Sequence, residues 1–200
     1  MNKTARAVRK GTRASPARSA GDRRVRRTKE ALTHALVDLV LEKRYDAITI
    51  QDLLDRADVG RSTFYSHYRG KDDLLLRSFE RMIEALDQAM EEGGPANSRV
   101  APVRELFCHV GTFRAFHSAL ARAHMLDRLY QAGTSQLSRS IAHRIAALPP
   151  GRVGVTVPLP AMAQALAGAL FALLRWWVDC DAAYSPEQMD AMYHAIWRTT

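Results

Sequence analysis

The stretch TIQDLLDRADVGRSTFYSHY, Thr49 to Tyr68, contains two short helical patterns separated by a break. In the first pattern, apolar residues recur at i, i+3, i+4 and i+7, which is the spacing of one helix face. These residues are Ile50, Leu53, Leu54 and Ala57. Thr49 precedes this face and Asp52 follows Thr49 three positions later, the capping-box pattern of a helix start. The spacing therefore predicts a short, capped helix with one buried side.

The segment Asp58-Val59-Gly60 interrupts the helical pattern. Aspartate tolerates the left-handed backbone of a tight turn, and Gly60 can cap the next helix. A second short helix is predicted over 61–68, and at about 100° per residue Phe64 and Tyr68 lie on one inner face. The outer side and its borders carry polar or basic side chains: Arg61, Ser62, Thr63, Tyr65, Ser66 and His67.

This outer face has the composition of a DNA-contacting surface. Small residues allow a helix to approach the major groove, hydroxyl groups contact phosphates, and arginine can read guanine. Two short helices joined by a three-residue turn form a helix-turn-helix, whose second helix enters the groove. Serine and threonine also occur on ordinary solvated helices, so the wheel alone leaves both readings open. The capped helix, the turn and the polar face together favour a helix-turn-helix.

Positive charge is concentrated at the N-terminus. The whole chain has a formal net charge of +8, whereas residues 1–30 contain eleven Lys or Arg and two acidic residues, a net charge of +9. A cationic segment beside a nearly neutral body suggests a polyanionic partner, either nucleic acid or a membrane surface. We expect residues 1–22 to form a disordered basic arm. An Arg- and Ser-rich start is also typical of an organellar transit peptide.

Residues 44–75, RYDAITIQDLLDRADVGRSTFYSHYRGKDDLL, resemble the DNA-binding domain of the TetR (tetracycline repressor) family of transcriptional regulators. The shared features are the capped helix, the tight turn, the aromatic-rich run 63–68 and the Lys-Asp-Asp that opens the next helix. Two departures are visible, because Asp58 replaces a glycine common in the turn and Gly60 replaces a common capping Ser or Thr. The resemblance implies an all-α fold, with a three-helix helix-turn-helix domain over 23–70 and a helical ligand-binding and dimerisation domain over 71–200.

The resemblance also implies a function and a set of DNA contacts. It implies a sequence-specific regulator of transcription, a repressor released by a small-molecule effector, that binds a palindromic double-stranded operator. The residues expected to face bases are Arg61, Ser62, Thr63 and Ser66. The residues expected to hold phosphates are Tyr65, His67, Lys71 and the capped helix start at Thr49. The alternatives are a nonselective architectural DNA-binding protein that uses its basic arm, and a helical small-molecule binder or enzyme without DNA binding.

The predicted helix over 160–180 is apolar nearly all round, broken by Gln164 and Arg175. A helix that is apolar on every side must be buried on every side, and in a small domain a partner chain would cover one side. We therefore expect a homodimer. The interface residues predicted are Ala165, Gly168, Ala169, Ala172, Leu173, Trp177 and Tyr193. A central core helix of a monomer would show the same pattern.

The C-terminal half also contains residues suited to an effector pocket. These are Phe107, Phe113, Phe116, Met125 and Trp176, although the same residues could simply form the core. The histidines and cysteines have no tight metal-ligand spacing, and no phosphate loop or nucleophile–base motif is present. We therefore expect no metal, no cofactor and no catalytic residue.

The longest apolar stretch, 161–174, is shorter than the ~20 residues of a membrane span. The two cysteines form no disulfide framework, which favours a reduced, intracellular setting. We expect a cytoplasmic protein without a membrane partner.

Overall fold

A computed structural model describes residues 16–92, 99–148, 157–179 and 184–199, and within these ranges the chain is helical and contains no strand. The all-α fold is therefore confirmed for the described residues. The helices are α1 Pro16–Glu42, α2 Ile50–Ala57, α3 Arg61–Tyr65, α4 Lys71–Glu92, α5 Val103–Thr112, α6 Arg114–Arg122, α7 Leu126–Ala146, α8 Leu159–Asp179 and α9 Pro186–Thr199, with a short 3-10 helix at Tyr45–Ala47.

Helix α1 begins earlier than the sequence pattern predicts. Its first residue is Pro16, so residues 16–22 of the predicted arm are helical, and residues 1–15 lie outside the described part of the chain. Proline is well placed at a helix start, because its fixed φ fits the helix and its missing N–H would have no intrahelical partner there.

A hydrophobic core joins α1, α2 and α3. The core residues of α1 are Leu32, Ala35, Leu36, Leu39 and Val40, which follow helical spacing. Helix α2 contributes Leu53 and Leu54, and α3 contributes Phe64, which is fully buried. Because α2 and α3 are too short to be stable alone, burial of these side chains in the common core fixes their positions.

The second short helix ends at Tyr65, before the predicted end at Tyr68. The Ser66 hydroxyl donates to the carbonyl of Thr63 at 2.7 Å, a local side-chain bond that competes with continuation of the helix. The chain then turns, and Tyr68 still buries its side chain in the core.

Helix α4 links the N-terminal core to the remaining helices. It packs against α1 on one side and against α7 on the other, and α7 packs along α8. Gly133 of α7 allows this last contact, because a Cβ at that position would overlap the ring of Phe171 in α8. Helix α5 packs against α9. Arg99 connects these two helices, donating to Glu105 and to Asp190.

Helix α8 is long and apolar enough, by length and composition, to cross a membrane, with a mean hydropathy of 1.4. The helix extends beyond the apolar stretch 161–174 and ends at Asp179, close to the predicted bounds 160–180. In the structure, α8 lies along α7 and buries six side chains: Ala163, Ala167, Leu170, Phe171, Leu174 and Trp177. Its other side is exposed at Ala165 and Ala172, so the protomer alone does not bury this helix all round.

Candidate nucleic-acid interface

A reciprocal cap fixes the start of α2. The Thr49 hydroxyl accepts from the Asp52 N–H at 3.1 Å, and the Asp52 carboxylate accepts from the Thr49 N–H at 2.7 Å. The predicted capping box is thus confirmed. Lys43 Nζ lies 2.7 Å from the same carboxylate, and this contact, followed by the Thr49 bonds, holds the pKa of Asp52 well below its usual range. Asp52 therefore stays ionised and keeps α2 anchored to the end of α1.

The turn between α2 and α3 is left-handed at Asp58, where φ is 51° and ψ is 49°. The N–H groups of Asp58 and Val59 both donate to the Leu54 carbonyl, which closes the end of α2. The left-handed aspartate is as predicted. Gly60 has an ordinary extended conformation, with φ of −67°, and begins α3 without a side-chain cap. The conformational freedom of glycine is therefore not required at Gly60.

Helix α3 has the sidedness that the helical wheel predicts. Phe64 is 0% exposed and Tyr68 is 2% exposed, whereas Tyr65 is 51% exposed. The polar outer residues Arg61, Ser62 and Ser66 are exposed, and Thr63 and His67 are partly exposed. Thr49 is also exposed, at the start of α2. The structure thus places these predicted DNA-contacting residues on an accessible surface of α2 and α3.

Gln51 is a surface residue that the sequence analysis missed. Its Oε1 accepts from Arg61 Nη2 at 2.9 Å, and its Nε2 donates to Asp55 at 2.7 Å. It therefore orients the Arg61 guanidinium beside the outer face of α3. The sequence could have indicated this role, because Gln51 lies in the first turn of α2 and outside its apolar stripe, on the side that faces solvent.

Lys71 does not belong to the predicted phosphate-binding set. Its Nζ donates to the carbonyls of Tyr45 at 2.8 Å, Asp46 at 3.2 Å and Ile48 at 2.9 Å. These three bonds use all three ammonium protons. The ammonium group also lies 4.8 Å from the centroid of the Tyr45 ring. Lys71 therefore fastens the segment 45–48 to the start of α4, and a phosphate contact would break these bonds.

Additional basic side chains are exposed on α1 and in the segment that follows α1. Arg24, Arg26 and Arg27 are exposed on α1, and Arg26 lies 3.5 Å from Glu30. The Arg44 side chain is 88% exposed and only loosely paired with Asp46, at 3.7 Å. Exposed arginines of this kind can contact phosphates at a small cost, because solvated ion pairs are weak.

The predicted effector residues do not converge on one site. Phe113 and Phe116 line a cavity of about 430 Å³ that lies between α1, α4, α5, α6 and α7. Phe107 instead packs in the core against the Trp177 ring, with centroids 5.2 Å apart. Met125 is buried away from this cavity, and Trp176 is 42% exposed beside Tyr184. Phe107, Met125 and Trp176 are therefore corrected to core or surface positions.

The predicted dimer residues also divide into two groups. Ala165 and Ala172 are exposed, and Gly168, Ala169 and Leu173 are partly exposed. Trp177 and Tyr193 are buried within the protomer, where Trp177 Nε1 donates to the Tyr184 carbonyl and Tyr193 Oη donates to the Leu166 carbonyl. These two side chains are unavailable to a partner and are removed from the predicted interface. Exposed apolar residues that the sequence analysis did not place there are Trp176 and Met192.

A capped helix, a left-handed turn and a short, outward-facing helix on the α1 scaffold define a helix-turn-helix DNA-binding domain, here joined to an all-helical C-terminal region. Residues 28–77 match the family model described as bacterial regulatory proteins, tetR family. This segment is therefore similar to the DNA-binding domain of that family.

Comparison with known proteins finds similarity to other regulators of transcription. The chain is 46% identical over 61 residues to the HTH-type transcriptional regulator YxbF of Bacillus subtilis (strain 168), a match that covers 30% of this chain but only 16% of that protein. A TetR transcriptional regulator from Streptococcus agalactiae 2603V is 24% identical, with a TM-score of 0.59, over 90% of this chain and 98% of that one. A TetR-family regulator from Syntrophomonas wolfei str. Goettingen is 21% identical, with a TM-score of 0.61, over 86% and 93%. At these identities the two structures share the fold.

Proposed function

We propose that this chain is a homodimeric, sequence-specific DNA-binding regulator of transcription in the cytoplasm, acting as a repressor that a small molecule releases. The observation that carries the proposal is the division of α3. Phe64 of α3 and Tyr68, which follows the helix, are buried, while Ser62 and Ser66 are exposed. A surface of small polar residues on the second helix of a helix-turn-helix can approach base edges closely.

Different residues would serve affinity and specificity. Arg61, held by Gln51 at 2.9 Å, is positioned beside the outer face of α3, where a guanidinium can read guanine. Tyr65 at the border and the exposed arginines of α1 would contact phosphates, which fix orientation but not sequence. Phosphate contacts release counterions, so affinity should fall steeply with salt.

The exposed side of α8 is the surface through which two protomers would associate. This side combines small residues such as Ala165 and Ala172 with the exposed apolar side chain of Trp176, and Met192 is exposed on α9. Two copies joined there by a two-fold axis would present two α3 helices to DNA, and a palindromic operator needs them about 34–36 Å apart. An effector that favours a different spacing would weaken operator binding, and the operator would weaken effector binding by the same factor.

Selection of genomic DNA fragments by the purified protein, followed by footprinting, tests the proposal. We expect a discrete, palindromic footprint. A uniform footprint without sequence preference would instead support the architectural DNA-binding alternative, which the basic N-terminal segment favours.

Substitution of the outer face of α3 tests the assigned surface. Ser62→Leu should reduce operator affinity by at least about tenfold, because a bulky side chain prevents close approach to the groove. Gln88→Leu, at an exposed position of α4, is the matched control and should leave affinity unchanged. Circular dichroism should show both variants helical, and unchanged operator binding by Ser62→Leu would exclude α3 as the recognition helix.

A further inference from the structure

We propose that the cavity between α1 and the C-terminal helices binds an uncharged, mainly apolar molecule with one hydrogen-bonding group, and that His117 is the polar partner of that group. Binding of this molecule to the cavity does not require DNA. Its consequence for transcription rests on the function proposed above.

The size and composition of the cavity fit a small organic molecule. Its volume is about 430 Å³, within the usual range of roughly 300–1,000 Å³ for ligand sites. Most of the wall is apolar and includes Val37, Phe79, Met82, Phe113, Phe116 and Leu120. Such a wall favours binding by removing apolar ligand surface from water.

His117 is a buried polar residue in this wall, and its ring nitrogens have no hydrogen-bond partner among the described residues. Its side chain is 3% exposed. The His117 ring lies beside two aromatic rings, those of Phe116 and His109, at centroid distances of 5.9 and 6.4 Å. Buried polar groups without partners are uncommon and costly, because burial removes their bonds to water. A ligand hydroxyl or carbonyl would supply the missing bond.

Two hydroxyl groups and one carboxylate of the cavity wall already have partners. Thr33 Oγ1 and Ser78 Oγ lie 2.9 Å apart, and Arg81 donates to both oxygens at 3.2 and 3.0 Å. Asp38, whose side chain is 57% exposed, lies 3.8 Å from Arg56. His34 and His109 also line the cavity, but His34 is exposed and His109 is partly exposed. Among the polar side chains of the described wall, His117 is the one that is both buried and without a hydrogen-bond partner.

Charge in the cavity favours a neutral ligand. The described wall contains no Lys or Arg that could pair with a carboxylate. Burial, with a smaller contribution from His109, lowers the pKa of His117 to about 4, so its imidazole is neutral near pH 7. A neutral imidazole offers one donor and one acceptor, which suits an alcohol, a phenol or a ketone.

The position of the cavity connects a ligand to the DNA-binding domain. Thr33, Leu36 and Val37 of α1 form one wall, and α1 is the helix against which α2 packs. His117 and Phe116 on α6 form the opposite wall. A molecule between them touches both domains, so any preference it has for one arrangement of α1 and α6 must change operator affinity.

Calorimetry with 2-naphthol and naphthalene tests the proposal, because the two probes share a ring system and differ in one hydroxyl group. The full-length wild-type protein should bind 2-naphthol about tenfold more tightly than naphthalene, the effect of one buried hydrogen bond. His117→Phe should keep naphthalene binding and lose the preference for 2-naphthol. His143→Phe, at an exposed position of α7, is the matched control and should retain the preference.

Three outcomes would overturn the proposal: no binding of either probe to the wild type, equal binding of both, or a preference that survives in His117→Phe. If His117→Phe does not fold, Met82→Trp, which narrows the cavity and keeps His117, must weaken both probes. Footprinting without probe separates the two proposals. Probe binding without a footprint refutes the proposed function alone, whereas a footprint without probe binding refutes the ligand site alone.

Discussion

Asp58 bears the left-handed conformation that ends α2, with φ of 51°. A side chain with a branched Cβ is strained there, whereas glycine has no Cβ to clash with the backbone. We expect Asp58→Val to lower the free energy of unfolding by about 1–2 kcal/mol and Asp58→Gly to raise it by up to about 1 kcal/mol. Urea denaturation measures both. Equal midpoints for the two variants would show that the turn conformation contributes nothing to stability.

His117 should make stability depend on pH. Its folded-state pKa of about 4 lies below the ordinary value of 6.5, so below pH 6.5 the unfolded chain takes up a proton that the folded protein does not. The stability from a neutral, buried His117 is thus fully present above about pH 6.5 and is lost as the pH falls toward 4. At pH 5 the loss should be about 2 kcal/mol relative to pH 7.5.

The measurement is the change in unfolding free energy between pH 7.5 and pH 5 in wild type and in His117→Phe. Burial also lowers the pKa of His109, but that residue is present in both proteins and cancels in the comparison. The variant should show the smaller change, and an identical pH dependence would contradict burial of a neutral His117.

At the scale of elements, local patterns predicted α2, its cap and the sides of α3, because each depends on residues a few positions apart. The covered side of α8 could not be predicted in this way. Its sequence is apolar nearly all round, and only tertiary contacts such as the one between the Phe107 and Trp177 rings determine that Trp177 is buried and Trp176 exposed. The role of Lys71 was missed for the same reason, since it depends on three carbonyls that converge only after the segment 45–48 folds back.

The contact between α7 and α8 depends on Gly133. A Cβ there would overlap the Phe171 ring and lie 3.0 Å from Phe79 Cε1. We expect Gly133→Ala to lower the free energy of unfolding by about 1–3 kcal/mol, because overpacking outweighs the better helix propensity of alanine. Gly21→Ala in α1 is the matched control, since no atom lies within 4 Å of its Cβ position, and it should cause no loss. Thermal unfolding compares them, and equal losses would refute the packing argument.

At the scale of the whole molecule, the DNA-binding domain is fastened to the C-terminal helices by polar contacts at Asp72. Its carboxylate accepts from Tyr45 Oη at 2.7 Å and from Arg128 Nη1 at 2.8 Å, which joins the 3-10 helix, α4 and α7. Burial opposes ionisation, but these two bonds lower the pKa of Asp72 overall. The cavity lined by His117 also has residues of α4 and α7 in its wall, so a ligand there would contact two of the elements that Asp72 joins. Sequence patterns do not reveal such a junction, because its partners lie far apart in the chain.

The last prediction concerns the association of two protomers through α8. Ala172 lies on the exposed side of α8, where we propose that a second copy packs. Ala172→Arg should leave the protomer helical, since the side chain points to solvent there, but it should bury an unpaired charge in the dimer. Sedimentation at micromolar concentration should therefore find the variant monomeric and the wild type dimeric. Affinity for a palindromic site should fall, whereas affinity for a single half-site should be unchanged, because α3 itself is intact.

The matched control is Ala85→Arg, the same substitution at an exposed position of α4 outside the proposed interface. This variant should remain dimeric and bind the palindrome as the wild type does. If Ala172→Arg also stays dimeric, the exposed side of α8 is not the interface. A chain that is dimeric through another surface would then have to bring its two α3 helices to the operator with a different spacing, and the half-site separation in the footprint would reveal it.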